Sequence, residues 1–222
     1  ADRDFHLMIQ MHHGRFDRLS HALDQLLAWR VDGVMINDFR SEACPDGWEA
    51  FADWLAGQSL PIVMLDPVPD LPPADYGVVR VDRQEAFRQA AQHLIQLGHR
   101  RLMFVAADGG VEQMKWRGVV EAADAAGLQP HWHKLDPIDP DNAAQQTVER
   151  AHALGRLLLE KPATDRPTAV LTGNDFAASG IIHAYQEQGY AIPDQLSVTS
   201  YEQAPAGQTV WPSLTRAIPD PE

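Results

Sequence analysis

The chain has 222 residues, with an apolar share of 45% and a charged share of 22%, enough to build a real hydrophobic core in one large domain or two small ones. Its 18 Lys and Arg stand against 31 Asp and Glu, a net charge of −13, and so acidic a surface repels phosphate backbones, which argues against nucleic-acid binding by this chain itself. No stretch reaches the ~18 continuous apolar residues of a membrane helix, the opening ADRDFHLMIQ has no signal-peptide pattern, and the lone Cys44 leaves no internal disulfide to form, a count that fits a reducing compartment.

Apolar runs and amphipathic segments alternate along the whole chain, the pattern of βαβ units around mostly parallel sheets. FHLMIQM (5–11) reads as a strand, FDRLSHALDQLLAWR (16–30) as a helix, GVMIN (33–37) as a strand, PDGWEAFADWLAGQ (45–58) as a helix and LPIVMLD (60–66) as a strand. The proline-rich PVPDLPPADY (67–76) must be an extended loop. GVVRVD (77–82) then leads into the helix RQEAFRQAAQHLIQLG (83–98), which Gly98 stops. RLMFVAA (101–107) is a strand, 111–127 a helix, 130–135 a weak strand and 142–160 a helix. TAVLT (168–172), a helix over 174–189, LSVTS (196–200) and a short strand SLTRAI (213–218) complete the order. The expected architecture is α/β, with two doubly wound lobes: 1–100 with 207–222 forming an amino-terminal lobe, and 101–206 forming a carboxy-terminal lobe.

Ligands of open parallel sheets sit outside the carboxyl ends of the strands. Three strands here deliver polar side chains at that end: Asp66, the pair Asn174 and Asp175, and Glu202. An amide that both donates and accepts, beside carboxylates that accept, suits the hydroxyls of a polyol. Helix capping is the competing role for Asn174 or Asp175, because the helix that follows needs acceptors for its first N–H groups. Asp82, three residues before Glu85, reads as a cap in a D-x-x-E pattern.

Several of these stretches together resemble the ligand-sensing core of LacI/GalR-type bacterial transcription regulators. They are LIQLGHRRLMFV (94–105), PTAVLTGNDFAASGIIHAYQEQG (167–189), IPDQLSVTSYE (192–202) and PSLTRAI (212–218). The resemblance implies a periplasmic-binding-protein-like fold with a small polar effector, commonly a sugar, held between two lobes. It further implies a cytoplasmic homodimer that meets DNA only through a helix-turn-helix headpiece missing from this chain. Carried over position by position, it implies ligand-binding roles for Asp66, Lys115, Asn174 and Glu202, with Asp82 and Asp175 as capping or secondary residues. Two of these depart from the family pattern: Lys115 stands for an arginine, losing its planar fork, and Glu202 stands for an aspartate one methylene shorter. Arg117 is the alternative source of a guanidinium if the register slips. By the same pattern both ends of the sensor core are expected to be missing.

Other chemistry has little support. HWH (131–133) and His12–His13 do not supply the three or four spaced ligands of a zinc site, so no metal and no cofactor are expected. Nucleophile elbows, phosphate loops and dinucleotide fingerprints are absent from the sequence, so no enzyme is expected. The alternative function is a periplasmic sugar-binding protein of a transporter, which uses the same two-lobed physics.

Overall fold

The computed structural model describes residues 6–12, 16–37, 48–57, 60–65, 75–136, 139, 142–201 and 211–217. They fall into two compact units that divide between Val81 and Asp82.

The first unit runs α1 (Phe16–Ala28), β1 (Val34–Asn37), α2 (Trp48–Ala56), β2 (Ile62–Leu65) and β3 (Gly77–Val79). Its sheet has the order β1-β2-β3, all parallel, with Val34 opposite Ile62 and Val63 opposite Gly77. Alternation along the strands sends Val34, Ile36, Ile62 and Met64 to one face, where they pack with Leu19 and Leu23 of α1 and Phe51 and Leu55 of α2. The apolar segment 6–11, expected as a strand, is not one: residues 6–12 form no regular element, and Leu7, Met8, Ile9 and Met11 are exposed. A strand needs a neighbour to take its N–H and C=O groups, and no strand among the described residues pairs with this segment.

The second unit runs α3 (Arg83–Gln96), β4 (Leu102–Ala107), α4 (Gly110–Ala125), β5 (His131–Leu135), α5 (Ala143–Glu160), β6 (Ala169–Thr172), α6 (Asp175–Glu187), β7 (Ser197–Tyr201) and β8 (Thr215–Ala217). Its five strands lie in the order β5-β4-β6-β7-β8, all parallel. α3 packs on α4, and β8 pairs with β7, so the helix before residue 100 and the strand after residue 207 both belong with the larger unit.

Buried strands of a parallel sheet are apolar on both faces, and β4 and β6 obey: Met103 and Val105 point into the core formed with α5 and α6, while Phe104 meets Phe87 and Trp116 from α3 and α4. The edge strands β5 and β8 are only partly buried. From β4 the chain moves outward to β5, then crosses back over β4 to β6 and onward. The order therefore reverses between β4 and β6, and a crevice at such a reversal, outside the carboxyl ends, is where a doubly wound sheet takes its ligand.

Close helix packing rests on small residues. A Cβ at Gly118 would lie 2.0 Å from the Gln84 carbonyl oxygen of α3, and one at Gly180 would lie 2.4 Å from the Val148 carbonyl oxygen of α5. At the opposite end of the sheet, His99 bridges the starts of β6 and β7 through Thr168 and Ser197, each at 3.0 Å.

Gly118→Ala is expected to lower unfolding stability in urea by at least about 2 kcal/mol, because backbone and not a movable side chain blocks the added methyl. Burial holds the His99 and His133 imidazoles below the usual histidine range. The unfolded chain then takes up these protons first, so stability is complete above pH ~6.5 and declines as the pH falls toward the folded-state values. Melting temperatures followed from pH 8 to 5 should show that decline, with a shallower slope in His99→Gln.

Candidate functional site

The carboxyl edge of the larger sheet, at the β4–β6 reversal, holds the buried Lys115 and Asp175 with their partners. Strand β6 ends at Thr172, whose single hydroxyl proton is shared between the Thr199 carbonyl of β7 at 3.2 Å and the Asn174 carbonyl at 3.0 Å. Gly173 follows. It passes so close to β4 and α4 that a Cβ there would fall 2.9 Å from the Ala106 Cβ and 2.6 Å from Glu112 Oε2. Glycine is required at this position by space rather than by a special backbone angle.

Lys115 projects from the second turn of α4 into this gap and is almost wholly buried. Its Nζ donates to Glu112 Oε1 and to the Gly173 carbonyl, both at 2.9 Å. The ammonium also lies 4.7 Å from the ring centre of Tyr201 and 5.7 Å from that of Phe87, within the range where a cation is attracted to an aromatic face. Glu112 is one turn earlier on the same helix, the spacing at which helical side chains meet. Its other oxygen, Oε2, is buried with no hydrogen-bond partner among the described residues.

Asn174 is the N-cap of α6: its backbone is extended and its Oδ1 accepts from the Ala177 N–H at 2.9 Å. Asp175, expected as the cap if Asn174 were not, does no capping. Its side chain is completely buried, and Oδ1 accepts from the Ser200 hydroxyl at 2.7 Å and from Arg216 Nε at 3.2 Å. Asp175 Oδ2 and Arg216 Nη2 are both left without partners among the described residues, so this pair stops one rung short of the bidentate fork that arginine and carboxylate commonly form. The carboxylate also stands in the first turn of α6, where the helix dipole favours negative charge.

Asp82 caps α3 as its pattern suggests, accepting from the Glu85 N–H at 2.9 Å. The reciprocal half of a capping box is missing, because Glu85 turns to Arg88 and Gln89 instead. Those bonds, with Arg88 first, hold the Glu85 carboxyl at about 2. Asp66 and Glu202 lie outside the described residues. Of the sequence-predicted ligand residues, the structure thus brings Lys115 against the residue before Asn174. The Glu112, Tyr201, Ser200 and Arg216 partners were not singled out in the sequence. Only Glu112 carried a local signal, its i,i+3 spacing to a lysine; the others meet the site through sheet topology. Among the described residues no group of three or more His, Cys, Asp or Glu side chains is placed to hold a metal.

The carboxyl edge of a parallel sheet, with its polar groups gathered at the reversal of strand order, is the arrangement shared by two-lobed binding folds, and comparison with known proteins agrees. The model of the periplasmic binding protein-like domain matches residues 91–222. The chain belongs to this family. Among curated relatives it is 29% identical over 204 residues to the HTH-type transcriptional repressor PurR of Mannheimia succiniciproducens, covering 90% of this chain and 56% of the relative. It is 26% identical over 210 residues to the catabolite control protein A of Priestia megaterium, covering 91% and 57%. The chain therefore spans about half the length of the curated relatives it matches. A solved LacI-family regulatory protein from Chloroflexus aggregans superposes with a TM-score of 0.70 at 26% identity, over 89% of this chain and 66% of that one. A LacI-family regulator from Lactobacillus casei with bound sucrose gives the same TM-score, 0.70, at 23% identity, over 94% and 72%, a likeness of fold. The motifs that resemble LacI/GalR-type regulators thus lie in a chain with the periplasmic-binding-protein-like fold.

Asn174→Ala is expected to lower the melting stability by about 1 kcal/mol, the cost of an N-cap lost. Asn174→Asp, which keeps a capping oxygen, should lie within about 0.5 kcal/mol of the parent in the same denaturation series.

Proposed function

We propose that this periplasmic-binding-protein-like domain is the effector sensor of a LacI/GalR-type transcription regulator. It binds a small polar molecule, a sugar or sugar derivative, and thereby modulates operator binding by a DNA-binding headpiece. The reading is supported above all by the position of Asn174: a side chain with an amide group uncommitted by its capping bond, at the reversal point of a parallel sheet, in a chain whose relatives are named repressors. Sucrose is bound by the Lactobacillus casei neighbour and ribose by an Enterococcus faecium one, and the mixed donor and acceptor character of Asn174 and the carboxylates suits such hydroxyls.

In this reading Asn174 has two jobs. Oδ1 caps α6 while Nδ2 donates to the effector, with Asp66 and Glu202 accepting from effector hydroxyls. The regulator acts as a cytoplasmic homodimer, without cofactor, catalysis or membrane contact; no helix among the described residues is long and apolar enough to cross a membrane. The named repressors among the relatives favour this reading over a transporter's periplasmic sugar-binding protein.

The test is a thermal-shift screen of neutral sugars, sugar acids and nucleosides against the domain, followed by titration calorimetry of the hits. Asn174→Asp should keep the fold stability and yet weaken the hit by at least about tenfold, because a donor has become an acceptor beside bound hydroxyls. An unchanged affinity removes Asn174 from the site, and a screen in which no compound shifts the melt removes the sugar-effector reading.

A further inference from the structure

We propose that Lys115 and Glu112 are positioning residues of the binding site, an internal ion pair that sets the Gly173–Asn174 turn and offers neither charge to the effector. The proposal rests on the effector-binding reading for what the turn is for, but the device itself stands on the geometry of the domain alone.

An ammonium has three N–H donors. In Lys115 one goes to Glu112 Oε1 and one to the Gly173 carbonyl, which leaves the third to the Tyr201 ring face 4.7 Å away. The side chain retains only 3% of its exposure, against 19% for Glu112. An incoming ligand therefore finds the nitrogen enclosed and its donors used. The charge is equally committed. Glu112 compensates it within hydrogen-bond distance, and does so in a setting where effective dielectric constants are low and the pair is little screened. The resemblance to LacI/GalR-type regulators assigned this position to ligand contact through a guanidinium; lysine, shorter and without a fork, is drawn back into the protein.

What the ammonium does hold is the carbonyl of the residue immediately before the α6 cap. Gly173 is pinned on both sides: its N–H donates to the Val105 carbonyl of β4 at 3.0 Å, and its carbonyl accepts from Lys115 of α4. Glu112 Oε2 lies against the face where a side chain of residue 173 would stand, so the carboxylate also walls the turn in. The result is a bridge from α4 across the sheet reversal to the start of α6. It fixes the direction in which Asn174 leaves the strand, and with it the aim of the Asn174 amide. Lys115 thus acts on the effector through Asn174.

Two measurements decide this. In the ligand-free domain, amide hydrogen exchange of Ala177, whose N–H is held by Asn174 Oδ1, reports the set of the turn. Lys115→Met should accelerate that exchange at least tenfold, while amides in the middle of α5 keep their rates. Unaltered exchange at Ala177 overturns the positioning role. In the second measurement Glu112→Gln keeps an acceptor for Lys115 but removes the counter-charge, and it serves if Lys115→Met fails to fold. Affinities for a neutral sugar and for its sugar acid are compared by calorimetry. The parent domain should bind the acid no better than the sugar, and Glu112→Gln should shift the ratio toward the acid at least tenfold. A parent that prefers the acid tenfold, or a ratio untouched by Glu112→Gln, overturns the counter-ion role. If the domain binds neither compound the effector reading fails by itself, and the Ala177 exchange still decides the positioning role.

Discussion

A single ammonium group, that of Lys115, ties together the parts of the larger unit that a doubly wound sheet leaves separate. β4 and β6 are neighbours in the sheet, but the helices that follow them leave in opposite directions, α4 to one face and α6 to the other. Backbone pairing ends where the strands end, so nothing in the sheet itself fixes the two helix starts relative to one another. The bond from Lys115 to the Gly173 carbonyl spans that gap. The charge of the lysine is matched by Glu112 from the same helix, and taking away one partner of such a buried pair would leave the other uncompensated.

The rest of the edge follows the same logic of charges matched inside the protein. Three of the helices that start there carry an acid in the first turn: Glu85 on α3, Glu112 on α4 and Asp175 on α6. These acids satisfy the positive ends of the helix dipoles, and two of them also hold a cation, Arg88 and Lys115. Asp175 holds a third, Arg216, which draws the edge strand β8 toward the centre of the unit. This edge is therefore polar, with its buried charges paired inside the protein. That suits recognition by hydroxyl and amide hydrogen bonds more than by ionic attraction, and it is consistent with the acidic surface of the chain as a whole.

Burial and polarity are divided between the two ends of the sheet. The middle of β4 and β6 is fully apolar and buried on both faces, so the strands cannot shift along one another without stranding large side chains. His99, at the amino ends of β6 and β7, ties the opposite edge with two hydroxyl bonds. The sheet is thus a stiff platform, and its carboxyl edge presents a turn whose geometry depends on a few polar contacts.

Much of this was legible in the amino-acid order. The alternation of apolar runs with amphipathic segments determined the element order and the parallel sheet, since hydrophobic periodicity is local. The motifs from LGHRR to the ND turn pointed to the periplasmic-binding-protein-like fold, and the D-x-x-E pattern determined the cap at Asp82. Tertiary structure decided the rest. Whether FHLMIQM becomes a strand depends on a pairing partner, and whether α3 and β8 belong to one lobe or the other depends on what they pack against; neither is written in the segment itself. The same holds for Asn174 and Asp175, two adjacent polar residues with equal claims to the cap. The choice between them was made by Ser200 and Arg216, 25 and 41 residues further along the chain, because a buried carboxylate goes where donors converge, and convergence is a property of the folded sheet and not of sequence spacing.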